Sequence, residues 1–216
     1  SNEGLVAILG AGTGLGVTRG LFSSKKIIPL PSEGSHREFA PRNEEEWELC
    51  QWLKNDLGLN RLSIERIVSG NGLGNIANWL LQRENHKSHE LWEYSKQWRF
   101  QNKAKPDFPA LVSTAAENND PLMEKALSIW LSAYGSVAGD IVLQELCTAG
   151  LWIGGGTAAK QLKGLKSQTF LSAMEDKGRF SSFVKQIPVM ALTDPEAGIF
   201  SAACRARMLA KPDEKI

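Results

Sequence analysis

Residues 8–17, ILGAGTGLGV, carry four glycines, Gly10, Gly12, Gly14 and Gly16, at alternate positions directly after a short apolar run. Few folds can continue from such a stretch. A dinucleotide fingerprint needs G-x-G-x-x-G at the opening of a helix. Counted from Gly10 the third glycine falls on Leu15, and counted from Gly12 it falls on Val17. A Walker A loop requires Lys followed by Ser or Thr after the glycines, and no such pair stands at that spacing. Instead VTRGLF at 17–22 is a β-type run, and KKIIPL at 25–30 is another across an SSKK turn. The glycines therefore join two strands as a hairpin, whereas a Rossmann unit would use them to open a helix. Glycine backbone can turn successive N–H groups toward phosphate oxygens, and Thr13 adds a hydroxyl. A tight hairpin whose glycines serve turn geometry alone remains open, although four glycines exceed what a two-residue turn requires.

The rest of the chain alternates in type. Residues 4–10 predict the first strand, and PSEGSHREFAPRN at 31–43 predicts a polar loop. Asn43 with Glu46 forms a capping-box pattern, followed by an apolar stripe of Trp47, Leu49, Cys50, Leu53 and Leu57 that Gly58 stops. A second start at Ser63 leads into IERIVSGNGL, whose glycines interrupt the helical period before Leu73, Ile76, Ala77 and Leu80 resume it. From about 82 to 120 the pattern blurs into a helical excursion anchored by Trp92, Tyr94, Trp98 and Phe100, with a turn at KAKPDFP. Asp120-Pro121 starts a helix reaching about Leu146, roughly 40 Å long at 1.5 Å per residue, with Gly135 and Gly139 allowing close packing. AGLWIGGG predicts a buried strand, TAAKQLKGL a helix, IPVMAL a strand, and residues 197–208 a terminal helix. Early strands followed by alternating helices and strands predict an α/β fold with a mixed sheet.

Composition narrows the classes of function. With 216 residues, 42% of them apolar, the chain can fill one core, burying about 70% of its unfolded surface. A net charge of +1 without long blocks of either sign predicts no polyanion surface and hence no nucleic-acid partner. The three widely spaced cysteines fit buried thiols in a reducing compartment better than a disulfide framework or a zinc site. With no run of 18 apolar residues and no signal peptide, the expectation is a cytoplasmic chain without a membrane partner. The chain also enters a strand almost at once without a methionine, so a fragment with a preceding segment upstream is expected.

Two further constellations carry candidate chemistry. Glu33, His36 and Glu65 could grip adjacent hydroxyls, since carboxylates accept and an imidazole can do either. Each has a plainer explanation: a hydrogen bond within its own loop for His36, and a favourable helix dipole for Glu65. The trio lacks a metal-ligand pattern or a third orienting group, so no metal site is expected. Gly154, Gly155 and Gly156 end a buried strand ahead of a helix. Ligands collect outside strand C-termini in α/β sheets, and a strand-to-helix turn is the alternative. The tryptophans at 47, 52, 79, 92, 98, 130 and 152 form no stacking platform interleaved with basic residues, and core or subunit packing is expected for them.

In order along nearly the whole chain, GAGTGLG, PLPSEGSHREFAP, SIERIVSGNGL, LWIGGGTAAK, MEDKGRF and IPVMALTDPEAGIFSAA resemble the bacterial glucokinase family, within the sugar kinase, Hsp70 and actin superfamily. Two departures are visible: Glu33-Gly34-Ser35-His36 stands where the family reads E-G-G-H, and GGGTAAK where it tends to read G-G-I-A-P-K. The resemblance implies a ribonuclease H-like, actin-like ATPase domain with a mixed sheet flanked by helices, covering residues 1–216. It implies that Gly12, Thr13 and Gly14 form a phosphate-binding hairpin, that Glu33, His36 and Glu65 contact glucose hydroxyls, and that Gly154, Gly155 and Gly156 lie near adenosine. The implied activity is phosphorylation of glucose at its 6-hydroxyl, with ATP and Mg2+. A noncatalytic sugar- or nucleotide-binding regulatory module is the alternative. The chain matches the larger, C-terminal part of the family pattern, so the catalytic Asp is expected upstream of residue 1, none of the present residues is catalytic, and the isolated fragment is expected to be inactive. Glucose, that upstream N-terminal segment and a second copy in a homodimer are the expected partners.

Overall fold

The structure, a computed structural model, describes residues 4–23, 26–83, 86–100, 107–194 and 196–210. Strands β1 (Gly4–Ala11) and β2 (Leu15–Ser23) pair antiparallel with Ala11 opposite Leu15, so residues 12–14 make up the whole connection. Strand β3 (Lys26–Leu30) pairs antiparallel with β2, and residues 24 and 25 of the expected SSKK turn lie outside the described residues. Strand β4 (Gly150–Gly154) lies parallel to β1 and β5 (Val189–Ala191) parallel to β4, giving the order β3-β2-β1-β4-β5. This is the expected α/β arrangement, a ribonuclease H-like mixed sheet flanked by helices. Its alternating pattern buries Ala7, Leu9 and Ala11 on the core side of β1.

Local chemistry sets the helix ends. In α1 (Glu44–Leu57) the Asn43 side chain accepts from the Glu46 N–H at 2.9 Å, and Gly58 closes the helix at φ +64°. The reciprocal half of the capping box goes elsewhere, because the Glu46 carboxylate accepts from the Arg42 N–H at 2.8 Å and pairs with its guanidinium. That pairing lets Glu46 face inward at 3% exposure, while Trp47, expected on the apolar stripe, is 56% exposed.

In α2 (Gly70–Arg83) the glycines begin the helix instead of interrupting it. A Cβ on Gly72 would lie 2.0 Å from the Ile67 carbonyl oxygen, so the approach of the preceding turn requires glycine. Helices α3 (Trp92–Phe100) and α4 (Phe108–Glu117) fall in the 82–120 stretch. Trp92 is buried and Trp98 half-buried, whereas Tyr94, also expected as an anchor, is exposed. The Phe100 side chain and residues 101–106, most of the KAKPDFP turn, lie outside the described residues.

Helix α5 (Pro121–Glu145) crosses the core. Asp120 caps it by accepting from the N–H groups of Leu122 and Met123 at 3.0 and 2.9 Å, and its second oxygen meets His89 Nε2 at 3.0 Å. Among the described residues α5 is the helix long and apolar enough to cross a membrane, yet 67% of its apolar window is buried inside the protein, as suits a core helix. The helix expected from TAAKQLKGL divides at Gln161 into α6 (Gly156–Lys160) and α7 (Leu162–Leu165). Helix α8 (Gln168–Glu175) packs on α5, α9 (Ser181–Val184) leads to β5, and α10 (Ala197–Ala210) ends the described chain.

Cys50 and Cys147 are buried free thiols, and burial pushes both up to about 11. Alkylation of the native protein at pH 8 is therefore expected to label Cys204, which is half-buried, and to reach the other two only after unfolding. A thiol ionises near 9.0 when unperturbed. The contribution of these thiols to stability is thus full below pH 9 and lost as pH rises toward 11. Urea midpoints across that window check the sign.

Candidate functional site

The Gly12–Gly14 hairpin is fixed from three sides. The Gly12 N–H donates to the Gly14 carbonyl at 2.8 Å, closing the turn. The carbonyls of Gly12 and Thr13 accept from the N–H groups of Gly70 and Asn71, at 2.7 and 3.4 Å, so the first donors of α2 are spent on the hairpin. The Leu15 N–H donates to Glu65 Oε2 at 2.9 Å, and a Cβ on Gly14 would meet that same oxygen at 2.6 Å. Glycine at 14 is what lets the carboxylate reach the backbone.

A cavity of about 440 Å³ opens beside the hairpin, within the ordinary range for small-molecule sites. Gly12 and Thr13 form one wall, Gly156, Thr157, Lys160 and Gln161 another, and Trp98, Asp107, Pro109 and Ser113 a third. A Cβ at Gly12 or Gly156 would meet nothing within 4 Å, so both glycines face open space. Gly154 and Gly155 do not line it. Gly155, at φ +84°, would place a Cβ 2.2 Å from the Ala11 carbonyl oxygen, so it serves the close approach of the β1 and β4 ends. Thr157 Oγ1 closes the same junction by donating to Ala11 O at 2.7 Å.

A second cavity, also of about 440 Å³, is lined by His36, Arg61, Glu65 and Arg66. Two backbone hydrogen bonds, Phe39 N–H to Leu62 O at 2.9 Å and Ile64 N–H to Arg37 O at 2.8 Å, make the antiparallel Glu38–Ser63 bridge that brings residues 33–39 against 62–65. Arg61 adds a donor to the His36 carbonyl at 2.7 Å. His36 and Glu65 thus share a wall. Glu33 does not line the cavity: its carboxylate lies 3.8 Å from His36 Nε2 and 89% of its side chain is exposed. Ser35, which replaces a glycine of the family pattern, is buried.

The chemistry available is consistent across the two cavities. At its hairpin end, away from the Asp107 wall, the first offers backbone, hydroxyls and the Lys160 ammonium, which suit an anion. The other offers the Glu65 carboxylate, the His36 imidazole and the guanidiniums of Arg61 and Arg66, acceptors and donors that suit hydroxyls. Sequence reasoning missed Lys160, although GTAAK places it one helical turn from Gly156. It named Trp98 only as a packing anchor and did not single out Asp107, because no periodicity runs through residues 82–120 to show that both line the cavity. Among the described residues no group of three or more His, Cys, Asp or Glu could hold a metal ion.

Comparison with known proteins places this geometry. The family model described as Glucokinase matches residues 1–209. The chain is similar to glucokinase of Synechocystis, at 38% identity over 95% of this chain and 60% of the relative. It is similar to glucokinase of Trichormus variabilis as well, at 36% identity over 95% of this chain and 62% of the relative. Its fold is shared with the crystal structure of a glucokinase from an Antarctic psychrotroph, at TM-score 0.75, 24% identity, 96% coverage of this chain and 59% of that one. It is shared too with glucokinase of Balamuthia mandrillaris in complex with glucose, at TM-score 0.74, 20% identity, and 89% and 50% coverage.

The expectation that the chain resembles only the C-terminal part of the family pattern is corrected by the family match, which takes in residues 1–209. The chain spans about 60% of the length of the curated relatives it matches. On that match and those identities, the chain belongs to the Glucokinase family.

Proposed function

We propose that the protein carrying this chain transfers the γ-phosphoryl group of ATP to the 6-hydroxyl of glucose. The observation that carries the reading is Glu65, whose carboxylate lines the second cavity while holding the Leu15 N–H of the hairpin at the first. A hydroxyl-binding site and an anion-binding site thus meet at one side chain, as transfer between a sugar and a nucleotide requires.

The roles follow from the groups present. Glu33 and Glu65 accept from sugar hydroxyls and His36 exchanges a hydrogen bond with a third, which orients the hexose toward the hairpin. Gly12, Thr13 and Gly14 receive the phosphates: the Gly12 N–H closes the turn and its bare Cα leaves room, while the Thr13 and Gly14 segment of the hairpin turns toward the oxygens. At the Gly154–Gly156 turn it is Gly156 that faces the nucleotide, with Lys160 adding positive charge. These residues bind and position, and none is assigned the proton of the 6-hydroxyl. The open space at Gly12 and Gly156 fits a phosphate chain. Mg2+ enters as part of the nucleotide substrate and draws charge off the transferring group. A cytoplasmic location and assembly as a homodimer belong to the same reading, and sedimentation of the purified protein tests the dimer.

A coupled assay with glucose and ATP tests the activity. Gly12→Val tests the hairpin's part in it. Gly12 has no positive φ and no neighbour within 4 Å of a Cβ, so the fold should tolerate valine. The isopropyl group would occupy the space assigned to phosphate. The expected result is an unchanged melting temperature with ATP binding weakened about 10- to 100-fold, the loss of one or two charge-assisted hydrogen bonds. Unaltered ATP binding would remove the hairpin from the nucleotide site.

A further inference from the structure

We infer that the wall of the second cavity formed by Arg61 and Arg66 is an anion subsite, and that it takes the phosphate of a hexose monophosphate whose ring lies against His36 and Glu65 in place of glucose. The inference rests on the reading of that cavity as the sugar site.

The lining carries more positive charge than a neutral sugar needs. Two guanidiniums and an imidazole face one carboxylate, that of Glu65. Hydroxyls are satisfied by ordinary donors and acceptors, whereas the planar fork of a guanidinium matches the paired oxygens of a phosphate. Glu65 does not cancel the two arginines where they stand. Its Oε2 accepts the Leu15 N–H at 2.9 Å, which draws the carboxylate toward the hairpin. Glu33 lies outside the cavity, with its carboxylate 3.8 Å from His36 Nε2. Neither guanidinium lines the first cavity, so neither serves the transferring group there.

The two arms leave a fixed backbone while their charged ends stay available. The segment between them is pinned to residues 37–39 by the Phe39 N–H to Leu62 O and Ile64 N–H to Arg37 O bonds. At Arg66 the backbone N–H donates to the Ser63 carbonyl at 3.0 Å, and the carbonyl accepts from Asn75 Nδ2 at 2.9 Å. The Arg66 guanidinium has no hydrogen-bond or ion-pair partner among the described residues. Arg61 spends Nη1 on the His36 carbonyl at 2.7 Å, which leaves Nε and Nη2. Asn60 and Ser63 add neutral donors to the same lining. A phosphate offers three acceptor oxygens, enough for both forks at once, where a carboxylate offers two.

Room and direction agree with a second substituent. The cavity, at about 440 Å³, lies in the range that drug-sized ligands fill, so a hexose leaves space for a phosphate. Transfer to the 6-hydroxyl keeps carbon 6 on the Glu65–Leu15 side. A phosphate at the arginines therefore sits on another carbon, or on carbon 6 of a ring turned round. Either way it takes the place of glucose, and the wall makes phosphorylated hexoses inhibitors at the sugar site.

Calorimetric titration of the protein carrying this chain with glucose, glucose 1-phosphate, glucose 6-phosphate and inorganic phosphate tests the assignment. A non-hydrolysable ATP analogue with Mg2+ is present throughout, so that the hairpin is filled and the arginines are left to receive the ester. At least one hexose phosphate is expected to bind as tightly as glucose, to be displaced by glucose, and to exceed inorganic phosphate about 10-fold or more. Binding of the carbon-1 ester shows the ring seated as in the substrate, and binding of the carbon-6 ester shows it reversed. Arg66→Gln, at an exposed position where folding is not at stake, is expected to lower the affinity for that ester relative to glucose about 10-fold. Arg66→Lys is expected to restore part of that ratio, since it returns the charge without the fork. Glucose binding with both esters excluded, or with a ratio that Arg66→Gln leaves unchanged, would overturn the anion subsite and leave the sugar reading standing. Failure of glucose to bind the parent protein, with or without the analogue, would overturn that reading and the inference with it.

Discussion

Glu65→Ala is expected to weaken both ligands, and Glu65→Gln the hexose alone. The carboxylate has two duties separated by one atom: Oε2 accepts the Leu15 N–H at 2.9 Å, and the group as a whole faces the second cavity. Glutamine keeps an oxygen for the Leu15 N–H, so the hairpin holds its shape. It also removes the negative charge, and with it a charge-assisted acceptor for sugar hydroxyls. The expected loss is about 10- to 100-fold in glucose affinity, with ATP affinity within about twofold. Alanine removes both acceptors, leaves the Leu15 N–H without its partner and frees the hairpin tip. ATP binding should then fall as well, by about 10-fold. Calorimetry with each ligand separates the cases. Glucose affinity unchanged in Glu65→Gln would exclude Glu65 from the sugar site.

Gly135→Ala is expected to destabilise the fold more than its size suggests. A helix interior ordinarily favours alanine over glycine by about 1 kcal/mol, so a neutral environment would raise the melting temperature. At this position the added methyl would lie 2.1 Å from the Phe170 carbonyl oxygen and 2.9 Å from its carbon. Those are backbone atoms of α8, which cannot rotate away. Relief requires α5 and α8 to separate, in a region where Tyr134 and Phe170 already pack edge to face at 5.7 Å. We expect a net loss of about 3 kcal/mol, or a fall of roughly 6–12 °C in melting temperature for a chain of this size. Thermal unfolding of the variant measures it, and a rise would show that the two helices are not in contact at this point.

These two positions also show what could be read in advance. The hairpin was legible because its evidence is local: glycine spacing excludes the helix-opening loops, and a β-type run comes within a few residues. Asn43, Gly58 and Asp120 were legible as helix ends for the same reason, since a cap depends on side chains within one turn. The nearness of Gly135 to α8 was foreseeable in kind, as a small residue in a long apolar helix, but the partner was not.

What escaped was set by distant neighbours. The Glu65–Leu15 contact spans 50 residues. The inward turn of Glu46 in place of Trp47 depends on Arg42, which an apolar period does not register. Gly72 and Gly74 look like helix breakers in one dimension and prove to be contact points for Ile67 and Trp98. The three glycines at 154–156 divide in the same way, two serving the strand junction and one facing the cavity. Trp98 and Asp107 belong to a stretch without periodicity, where only the fold assembles them.

The central claim is that the two cavities serve one transfer, from ATP to the 6-oxygen of glucose. Its most direct test is the product formed when the protein carrying this chain is given ATP, Mg2+ and glucose labelled with 13C at carbon 6. The account predicts a phosphomonoester on the labelled position, seen as 31P coupling to carbon 6, formed together with ADP. Phosphate appearing on the anomeric oxygen, or ATP hydrolysed with glucose recovered unchanged, would contradict it.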